Sequence, residues 1–405
     1  MRVLVVGAGG VGSAVVRTVD RWNLFERVVV ADFDVARARR AVGGAGDRFA
    51  AVGLDARDEQ AMTELIRAER CDAVLNAVDP RFVMPVFRAA LEAGATYLDM
   101  AMSLSRPHPQ DPFHTPGVKL GDEQFAMAGE WERRGQLALC GIGVEPGLSD
   151  VFARYAADRL FSTMDEIGVR DGANLTVRGY DFAPTFSIWT TIEECLNPPV
   201  VWERARGWYV TEPFSEPEVF SFPAGIGPLE CVNVEHEEVL LVPRWLDAGR
   251  VTFKYGLGHE FIEVLRTLHK LGLDSTSPVR VGELEVSPRD VVAACLPDPA
   301  TLGELMSGVT CAGTWVRGTG TDGSPREVYL YHAVDNEWSM AGFGSQAVVW
   351  QTAVNPIVAL ELLDTGAWAG AGVLGPEALP AEPFLDLLNA HGSPWELEER
   401  ARPRA

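Results

Sequence analysis

The sequence predicts an α/β fold: an N-terminal Rossmann domain with a doubly wound parallel sheet, an inserted α+β domain of mostly antiparallel sheet, and a C-terminal helical return to the Rossmann domain. Three observations lead to this prediction. Apolar strand-like runs alternate with helical spacing in the first third of the chain, which is typical of a parallel sheet covered on both faces. A glycine-rich turn follows the first run. After residue 150, short strand-like runs and hairpin turns dominate until helical spacing returns at residue 345.

The first 32 residues contain the most specific of these patterns. A β-branched run at 2–6 leads into Gly7, Gly9 and Gly12 at G-x-G-x-x-G spacing, then a helix, then a strand that ends at Asp32. Gly7 allows a tight turn, Gly9 lets the backbone approach a pyrophosphate, and Gly12 lets the helix pack closely on the strand. The helix N-terminus favours phosphate through its free N–H groups and its dipole. The stretch predicts a dinucleotide site, with a Rossmann domain that has lost its cofactor as the alternative.

Further strand-like runs extend the predicted sheet, and ligands of such sheets bind at the carboxyl ends of the strands. Asp55 follows the run at 48–54 and would lie beside adenine or cap the next helix. Asn76 ends the next run and would contact the cofactor or form a turn. The predicted cofactor-binding residues are Gly7, Gly9, Gly10, Val11, Gly12, Asp32, Asp55, Asn76, Ala77 and Val78.

Asp32 is the main indicator of which nicotinamide cofactor the domain uses. A carboxylate at this position accepts hydrogen bonds from free ribose hydroxyls and repels a 2′-phosphate, which favours NAD. Arg37 and Arg39 follow a few residues later and could accept such a phosphate, so NADP remains possible.

The patterns divide the chain into three segments. Residues 1–147 are predicted to form the dinucleotide-binding domain, 148–344 a substrate-binding and dimerisation domain, and 345–405 a helical segment that packs back on the first domain. The proline-rich stretch 103–121 lacks periodicity, so we expect a long loop that is either a lid or a surface insertion.

The composition argues against several classes of partner and site. The 405 residues carry a formal net charge of −22, from 57 acidic and 35 basic residues, which argues against nucleic acids and anionic membranes as partners. No apolar run approaches the roughly 20 residues of a membrane span, and no targeting segment precedes the first strand, so we expect a cytoplasmic protein. The six cysteines and seven histidines are scattered, which predicts neither a disulfide framework nor a metal site.

Motifs spread along the whole chain carry further information. They are GAGGVG at 7–12, NAV at 76–78, YLDMAM at 97–102, GIGVEPGLSD at 141–150, FSIWTTIEECLNPP at 186–199, GPLECVNVE at 227–235, FKYGLGHEFIEVLRTLHKLGL at 253–273 and GVLGPEALPAEPFLDLL at 372–388. Together they resemble the saccharopine dehydrogenase family, in the branch with saccharopine reductases, lysine 6-dehydrogenases and carboxynorspermidine dehydrogenases. The resemblance implies the fold predicted above, a homodimer, and hydride transfer at a nitrogen-bearing carbon of an amino-acid substrate.

This chemistry suggests catalytic roles for four residues. Glu145 would anchor an amine or carry a proton, or else cap its turn. Asp99 would bind a substrate ammonium or make only structural hydrogen bonds. Lys254 stands where the family commonly has arginine and would hold a carboxylate as a point charge. His259 would carry a proton near neutral pH or be structural.

Other residues are predicted to bind the substrate. Arg178 and Arg244 would pair with its carboxylates, and Met100 ends a strand at the same edge of the sheet. Tyr180 and Trp189 would line the pocket or belong to the core.

The resemblance makes an NAD(P)-dependent oxidoreductase the expected function, with saccharopine dehydrogenase (L-glutamate-forming) or saccharopine reductase as the first expectation. Lysine 6-dehydrogenase and carboxynorspermidine dehydrogenase are the alternatives. A catalytically silent protein that senses NAD(P)H is an alternative of a different class.

Overall fold

Two large β-sheets organise the chain in the computed structural model, which describes residues 1–400. The strands are β1 Arg2–Val6, β2 Arg27–Asp32, β3 Phe49–Gly53, β4 Ala73–Asn76, β5 Thr96–Asp99, β6 Leu137–Leu139, β7 Phe161–Ala173, β8 Thr176–Val177, β9 Val200–Glu203, β10 Gly207–Val210, β11 Glu218–Phe222, β12 Gly227–Asn233, β13 Arg250–Gly256, β14 Val279–Val281, β15 Leu284–Val286, β16 Met306–Ser307, β17 Val309–Gly320, β18 Pro325–Asp335, β19 Gly372–Leu374 and β20 Glu396–Glu399.

The α-helices cover the first sheet and surround the second. They are α1 Gly10–Trp22, α2 Val35–Val42, α3 Glu59–Glu69, α4 Val83–Ala93, α5 Asp122–Phe125, α6 Ala128–Arg133, α7 Leu148–Tyr155, α8 Ile188–Leu196, α9 Glu238–Trp245, α10 Gly258–Lys270, α11 Pro288–Cys295, α12 Asn336–Phe343, α13 Ala347–Thr365 and α14 Ala381–Ala390. Within residues 1–400, none of them combines the length and apolarity that crossing a bilayer requires.

The first sheet has seven parallel strands in the order β19-β6-β5-β4-β1-β2-β3. Residues 3–6 of β1 and 28–31 of β2 are buried, as expected for strands with helices on both faces. The chain order reverses beside β1, and open sheets of this type bind ligands at that point, beyond the carboxyl ends of the strands. The predicted doubly wound Rossmann domain is confirmed.

The second sheet has nine strands and is mostly antiparallel, as predicted. Its main path is β10-β9-β13-β7-β17-β18-β20, and the β11–β12 hairpin joins it through β13. The central pair, β13 and β7, is parallel, whereas β7 and β18 both run antiparallel to β17. Strands β7 and β13 therefore lie in the middle of the sheet and position the residues described below.

The C-terminal segment contains two helices, as predicted, and two short strands in addition. Its helix α13 lies beside α1, where Arg17 donates to Ser345 Oγ at 2.7 Å and the Met1 amino group is 3.0 Å from Asp364. Strand β19 then joins the first sheet, and β20 joins the second through β18. The part of the prediction at 401–405 lies outside the described residues, and the domain boundaries remain predictions.

The stretch 103–121 is a loop, as expected. Arg106 and Val118 exchange backbone hydrogen bonds of 2.8 and 3.0 Å across it, and the Ser105 hydroxyl donates to Glu235 at 2.8 Å. The first two bonds lie within the loop, and the third attaches it to the second domain. Whether it moves as a lid remains a prediction.

Candidate active site

A cavity of about 370 Å³ lies between the two sheets, within the size range of small-ligand sites. Both domains and α13 contribute to its walls. The lining residues are Gly9, Gly10, Val11, Asn76, Ala77, Val78, Asp79, Pro80, Met100, Ala101, Val144, Glu145, Pro146, Asp171, Phe186, Ser187, Thr190, Glu194, His236, Glu237, Tyr255, Asp298, Pro299, Val348, Val349 and Thr352.

The glycine turn forms one end of this cavity. Gly7 has φ +105°, and a Cβ there would lie 2.5 Å from the carbonyl oxygen of Ala77; a Cβ on Gly12 would overlap the Gly7 carbonyl. Gly9 faces open space, with nothing within 4 Å of where its Cβ would be. The first hydrogen bond of α1 runs from Ser13 N to Gly9 O at 2.9 Å, so the amides before it have no acceptor within the helix. These residues fit the pyrophosphate of a dinucleotide.

Asp32 and Asp55 lie at the adenosine end of the predicted cofactor site, and neither lines the cavity. Asp32 is 7% exposed, and its two carboxylate oxygens accept from the backbone N–H groups of Ala8 at 2.8 Å and Asp34 at 2.9 Å. Asp55 forms an exposed ion pair with Arg57 at 2.6 Å, and hydrogen bonds from that arginine lower the pKa of Asp55 to about 2. The hydrogen bonds of Asp32 therefore stabilise the glycine turn, and the ion pair of Asp55 stabilises the loop that follows β3.

Asp99 does not line the cavity, and of its two predicted roles the structure fits structural hydrogen bonding and not contact with a substrate ammonium. Its carboxylate is buried and accepts from Tyr97 Oη at 2.9 Å, Gln124 Nε2 at 2.8 Å and Gly141 N at 2.6 Å. Burial raises the pKa of Asp99 to about 7. The residue joins β5 to the turn after β6. Met100, the next residue, does line the cavity.

Glu145 and Asp171 form a carboxyl pair in the cavity wall. Glu145 follows β6, Asp171 lies on β7, and a hydrogen bond joins their side chains. Burial raises the pKa of Glu145 well above its usual value, and the negative charge of Asp171 adds to this; burial also raises the pKa of Asp171, to about 6. The backbone N–H of Gly313 donates to Glu145 at 3.2 Å, and Tyr255 hydrogen-bonds Asp171. Near neutral pH such a pair holds one proton, which it can donate or recover.

Three consecutive titratable residues, His236, Glu237 and Glu238, form a second cluster beside this pair. Nδ1 of His236 is 2.5 Å from Glu238 and 3.5 Å from Glu237, and its ring stacks on Phe253 at 3.8 Å. Burial alone would lower the pKa of His236, but the two carboxylates outweigh it and raise that pKa to about 10. His236 is therefore an imidazolium ion at neutral pH. The ligand atoms of the three residues lie within 4.8 Å of one another, but Nδ1 is already engaged by Glu238.

The cavity wall carries more acidic than basic side chains. Within the described residues, neither lysine nor arginine lines it, and His236 is its basic group. Glu194 also lines the cavity, and burial raises its pKa to about 8. The acidic residues of the lining are Asp79, Glu145, Asp171, Glu194, Glu237 and Asp298. Burying a charged group without a partner of opposite charge costs free energy. A cationic ligand would find carboxylate partners in this wall and an anionic one would not, so the wall favours a cationic ligand.

Lys254 lies on the opposite face of the second sheet, so its predicted place in the site is wrong. In the register of β13 and β7, Tyr255 pairs with Asp171 and Lys254 pairs with Arg170. Successive residues of a strand point to opposite faces, so the first pair faces the cavity and the second faces away. There Lys254 Nζ lies 2.8 Å from Glu218, and Arg170 lies 2.5 Å from the same carboxylate.

His259, Arg178 and Tyr180 are also outside the cavity, contrary to prediction. The His259 side chain is 79% exposed and lies 3.9 Å from Glu230. Arg178 and Tyr180 are exposed in the stretch after β8. Both side chains therefore face solvent and do not contribute to the cavity lining.

Arg244 and Trp189 make other contacts than those predicted. The Arg244 guanidinium lies 3.7 Å from the ring centroid of Phe125, and its Nε donates to Leu240 O. Trp189 is held between Arg81 and Arg289, at 4.5 and 4.7 Å from its ring. Neither residue lines the cavity, although Ser187 and Thr190 beside Trp189 do.

Apart from Glu145, the acidic residues of the wall were missed in the sequence. Glu237 and His236 belong to the run VEHEEVLLV, where charged residues interrupt an apolar stretch, and that interruption is a signal of buried polar function. Asp171 and Tyr255 gave no such signal. Whether their side chains face the cavity depends on which face of the strand each residue occupies and on how the strands pair in the sheet. Glu194 lies within FSIWTTIEECLNPP, but its place in the cavity wall depends on tertiary structure.

Comparison with known families covers nearly the whole chain. Residues 3–139 match the saccharopine dehydrogenase NADP binding domain, and residues 143–393 match the saccharopine dehydrogenase C-terminal domain. Carboxynorspermidine synthase of Vibrio alginolyticus is 29% identical over 412 residues, spanning 98% of this chain and 97% of that protein. Carboxyaminopropylagmatine dehydrogenase of Synechocystis sp. is 28% identical over 398 residues, spanning 97% and 96%.

Two solved structures share the fold. Saccharopine dehydrogenase (L-Glu forming) from Saccharomyces cerevisiae superposes with a TM-score of 0.70 at 14% identity, covering 99% of this chain and 100% of that one. Homospermidine synthase from Legionella pneumophila, solved with NAD, gives a TM-score of 0.67 at 14% identity, covering 100% and 93%. At this identity the likeness concerns the fold alone.

Proposed function

The chain belongs to the saccharopine dehydrogenase family and is an NAD(P)-dependent oxidoreductase of amine substrates, and from this premise we propose that its substrate is a carboxylated polyamine. Such a molecule consists of a short α-amino acid joined through a secondary amine to a di- or polyamine. The enzyme would cleave or form the bond between the amino-acid carbon and that nitrogen. The homodimer that the resemblance implies remains a prediction.

The acidic wall of the cavity is the observation that carries this proposal. A carboxylated polyamine brings two or more ammonium groups into the site, and the acidic lining can pair with them. Saccharopine brings three carboxylates, which need arginine or lysine partners. The candidates for that role, Lys254, Arg244 and Arg178, lie outside the cavity.

The names of two relatives support the same substrate class. Carboxynorspermidine and carboxyaminopropylagmatine are both amines that carry a carboxylated aminopropyl unit. Each relative aligns with this chain over nearly its full length, including both domains. The sequence alone favours saccharopine as the substrate. The acidic side chains that line the cavity are the reason why we propose the polyamine alternative instead.

The reaction places a defined demand on the protein. In the oxidative direction R–CH2–NH2⁺–R′, NAD(P)⁺ and water give R–CHO, R′–NH3⁺, NAD(P)H and one proton. NAD(P)⁺ held at the glycine turn would supply the hydride acceptor. The protein must remove a proton from the ammonium so that its nitrogen can form the C=N bond. Glu145 and Asp171 lie in the cavity wall as a pair that can hold that proton and return it during hydrolysis.

The second cluster would orient the substrate. Glu237 is held by the Met102 N–H at 3.1 Å, and Glu238 is held by the Ser149 hydroxyl at 2.9 Å and by His236. These contacts position the Glu237 carboxylate at the wall, where it can pair with a substrate ammonium. His236 supplies one positive charge at the same place, suited to the amino-acid carboxylate.

A substrate comparison tests the proposal. Purified protein is assayed for reduced nicotinamide with carboxynorspermidine, saccharopine and lysine, each with NAD or NADP. We expect turnover of carboxynorspermidine and at least a ~100-fold lower kcat/KM for saccharopine, because its carboxylates lack partners in the cavity. Faster turnover of saccharopine would contradict the proposal. Cofactor binding without turnover of any amine would favour the sensor alternative.

A further inference from the structure

A second pair of buried carboxyl groups lies behind the cavity wall. Asp150 is on the first turn of α7 and Glu377 lies between β19 and α14; both are 0% exposed, and neither lines the cavity. A hydrogen bond joins the two side chains. Among the described residues, neither carboxyl group forms an ion pair, and Asp150 Oδ1 has no partner other than Glu377. Glu238 adds negative charge and Arg244 adds positive charge without reaching ion-pair distance.

The surroundings of this pair require a proton between its members. A Cβ on Gly375 would lie 2.5 Å from Glu377 Oε2 and 2.7 Å from the Trp245 ring, so the carboxyl group lies close to that ring. Two ionised carboxylates in contact at such a buried place, without a cation, are strongly unfavourable. One shared proton removes a charge and supplies the hydrogen bond. Burial accordingly raises the pKa of Asp150 well above its usual value and that of Glu377 to about 7.

The first turn of α7 connects this pair to the cavity wall. Asp150 Oδ2 accepts the backbone N–H of Gly147 at 2.7 Å, which closes the turn that carries Glu145. Ser149, beside Asp150, donates to Glu238 at 2.9 Å, so the same turn also contacts the second cluster. The placement of two sets of acidic residues at the site therefore depends on this turn.

We propose that Asp150 and Glu377 are positioning residues of the active site, and that the proton they share holds the turn that places Glu145 against Asp171. They act through Glu145, since neither reaches the cavity. The segment after β19 thereby completes the site from the C-terminal part of the chain. The inference rests on the proposed function, because it concerns the carboxyl pair that exchanges the proton there.

Infrared spectroscopy tests the shared proton without any amine present. The C=O band of a protonated carboxyl group is separate from carboxylate bands, and at about pH 8 ordinary carboxyl groups are ionised. The double variant Asp150→Asn with Glu377→Gln keeps the shape and hydrogen bonding of the pair without a carboxyl group. We expect it to lose a protonated-carboxyl band. Glu382→Gln, an exposed glutamate of the same segment that pairs with Arg159, should keep that band. A double variant that keeps the band overturns the inference.

Kinetics test the positioning role. Glu377→Met leaves Asp150 without a partner for its proton, and we expect kcat to fall ~10-fold or more while KM for the amine and the cofactor Kd stay within about threefold. The acidic limb of the pH profile of kcat/KM should also shift, because that limb reports the Glu145–Asp171 pair. Glu377→Gln offers an N–H group in place of the proton and should recover most of kcat.

The controls separate positioning from stability. Active sites are counted by cofactor titration, so unfolded protein does not lower kcat, and a merely structural role would lower Tm without moving the acidic limb. The inference is overturned if Glu377→Met keeps both kcat and the acidic limb, or if Glu377→Gln loses as much kcat as Glu377→Met. If the unaltered protein turns over no amine while the double variant loses the infrared band, the proposed function fails and the shared proton stands.

Discussion

The two central strands β7 and β13 present opposite charges on their two faces. On the face away from the cavity, Arg170 and Lys254 both pair with Glu218 beneath the β11–β12 hairpin. On the cavity face, Asp171 and Tyr255 lie beside Glu145. The basic side chains on one face are therefore paired with a carboxylate. The acidic side chains on the other face line the cavity, where a ligand can reach them. The same two strands therefore carry a buried ion cluster on one face and two residues of the cavity lining on the other.

The largest expected effect comes from the cavity face. Asp171→Asn leaves Glu145 without its acidic partner, so the pair can no longer exchange a proton in the same way. We expect kcat to fall by ~10²–10³, the usual range for loss of a general acid or base. Steady-state assays with the carboxylated polyamine measure this decrease in kcat. Asp165→Asn, on the same strand but exposed, is the control and should keep kcat within twofold. Full activity of Asp171→Asn would contradict a catalytic role for the Glu145–Asp171 pair.

The acidity of the pair predicts a pH dependence. A proton acceptor must be deprotonated to take a proton from the substrate ammonium, and the pKa of Asp171 is raised to about 6. In the oxidative direction, kcat/KM should therefore decrease by ~10-fold per pH unit below that value and level off above it. Asp165→Asn should leave the acidic limb unchanged. A profile without an acidic limb would show that proton transfer by this pair does not control the rate.

The opposite face should affect stability rather than catalysis. Lys254→Met removes one of two bases from a largely buried ion cluster and leaves Glu218 with Arg170 alone. Because Glu218 is partly exposed, we expect the free energy of unfolding to decrease by about 1–3 kcal/mol. Urea denaturation measures this, and KM for the amine should stay within about twofold. A large rise in KM at unchanged stability would place Lys254 at the substrate instead.

The smallest expected effect belongs to a residue on neither face. His259 is solvent-exposed on α10, so His259→Ala should change kcat and KM by less than about twofold. The unfolding free energy should also change by less than about 0.5 kcal/mol. A loss of activity above tenfold would require His259 to move into the cavity when substrate binds.

The sequence predicts the fold and the glycine turn well because both depend on local patterns. The spacing of Gly7, Gly9 and Gly12 and the flanking apolar runs lie within one short segment, and the structure places them as expected. The alternation of strands and helices likewise fixes the parallel sheet. These features need no knowledge of which distant residues meet.

The second domain is harder to predict because one residue along a strand changes the face. Lys254 and Tyr255 are neighbours in the same motif, yet only Tyr255 lines the cavity. At β5 the same happens with Asp99, which is buried, and Met100, which is exposed to the cavity. To decide which of two neighbouring residues faces the cavity, the register of the sheet must be known. Asp171 can be identified as a cavity residue only when the pairing of β7 with β13 is known.

The position of α13 has a consequence for how the protein is made. This helix contains many of the most buried residues of the chain, and it covers α1, the helix that follows the glycine turn. A ribosome that has synthesised residues 1–147 has therefore produced a sheet whose covering helix does not yet exist. The nucleotide-binding half can reach its final state only after residue 374, the end of strand β19, has left the exit tunnel, when the intervening domain has already been synthesised. A gene fragment that ends at the first domain should yield an unstable product with an exposed apolar surface on α1.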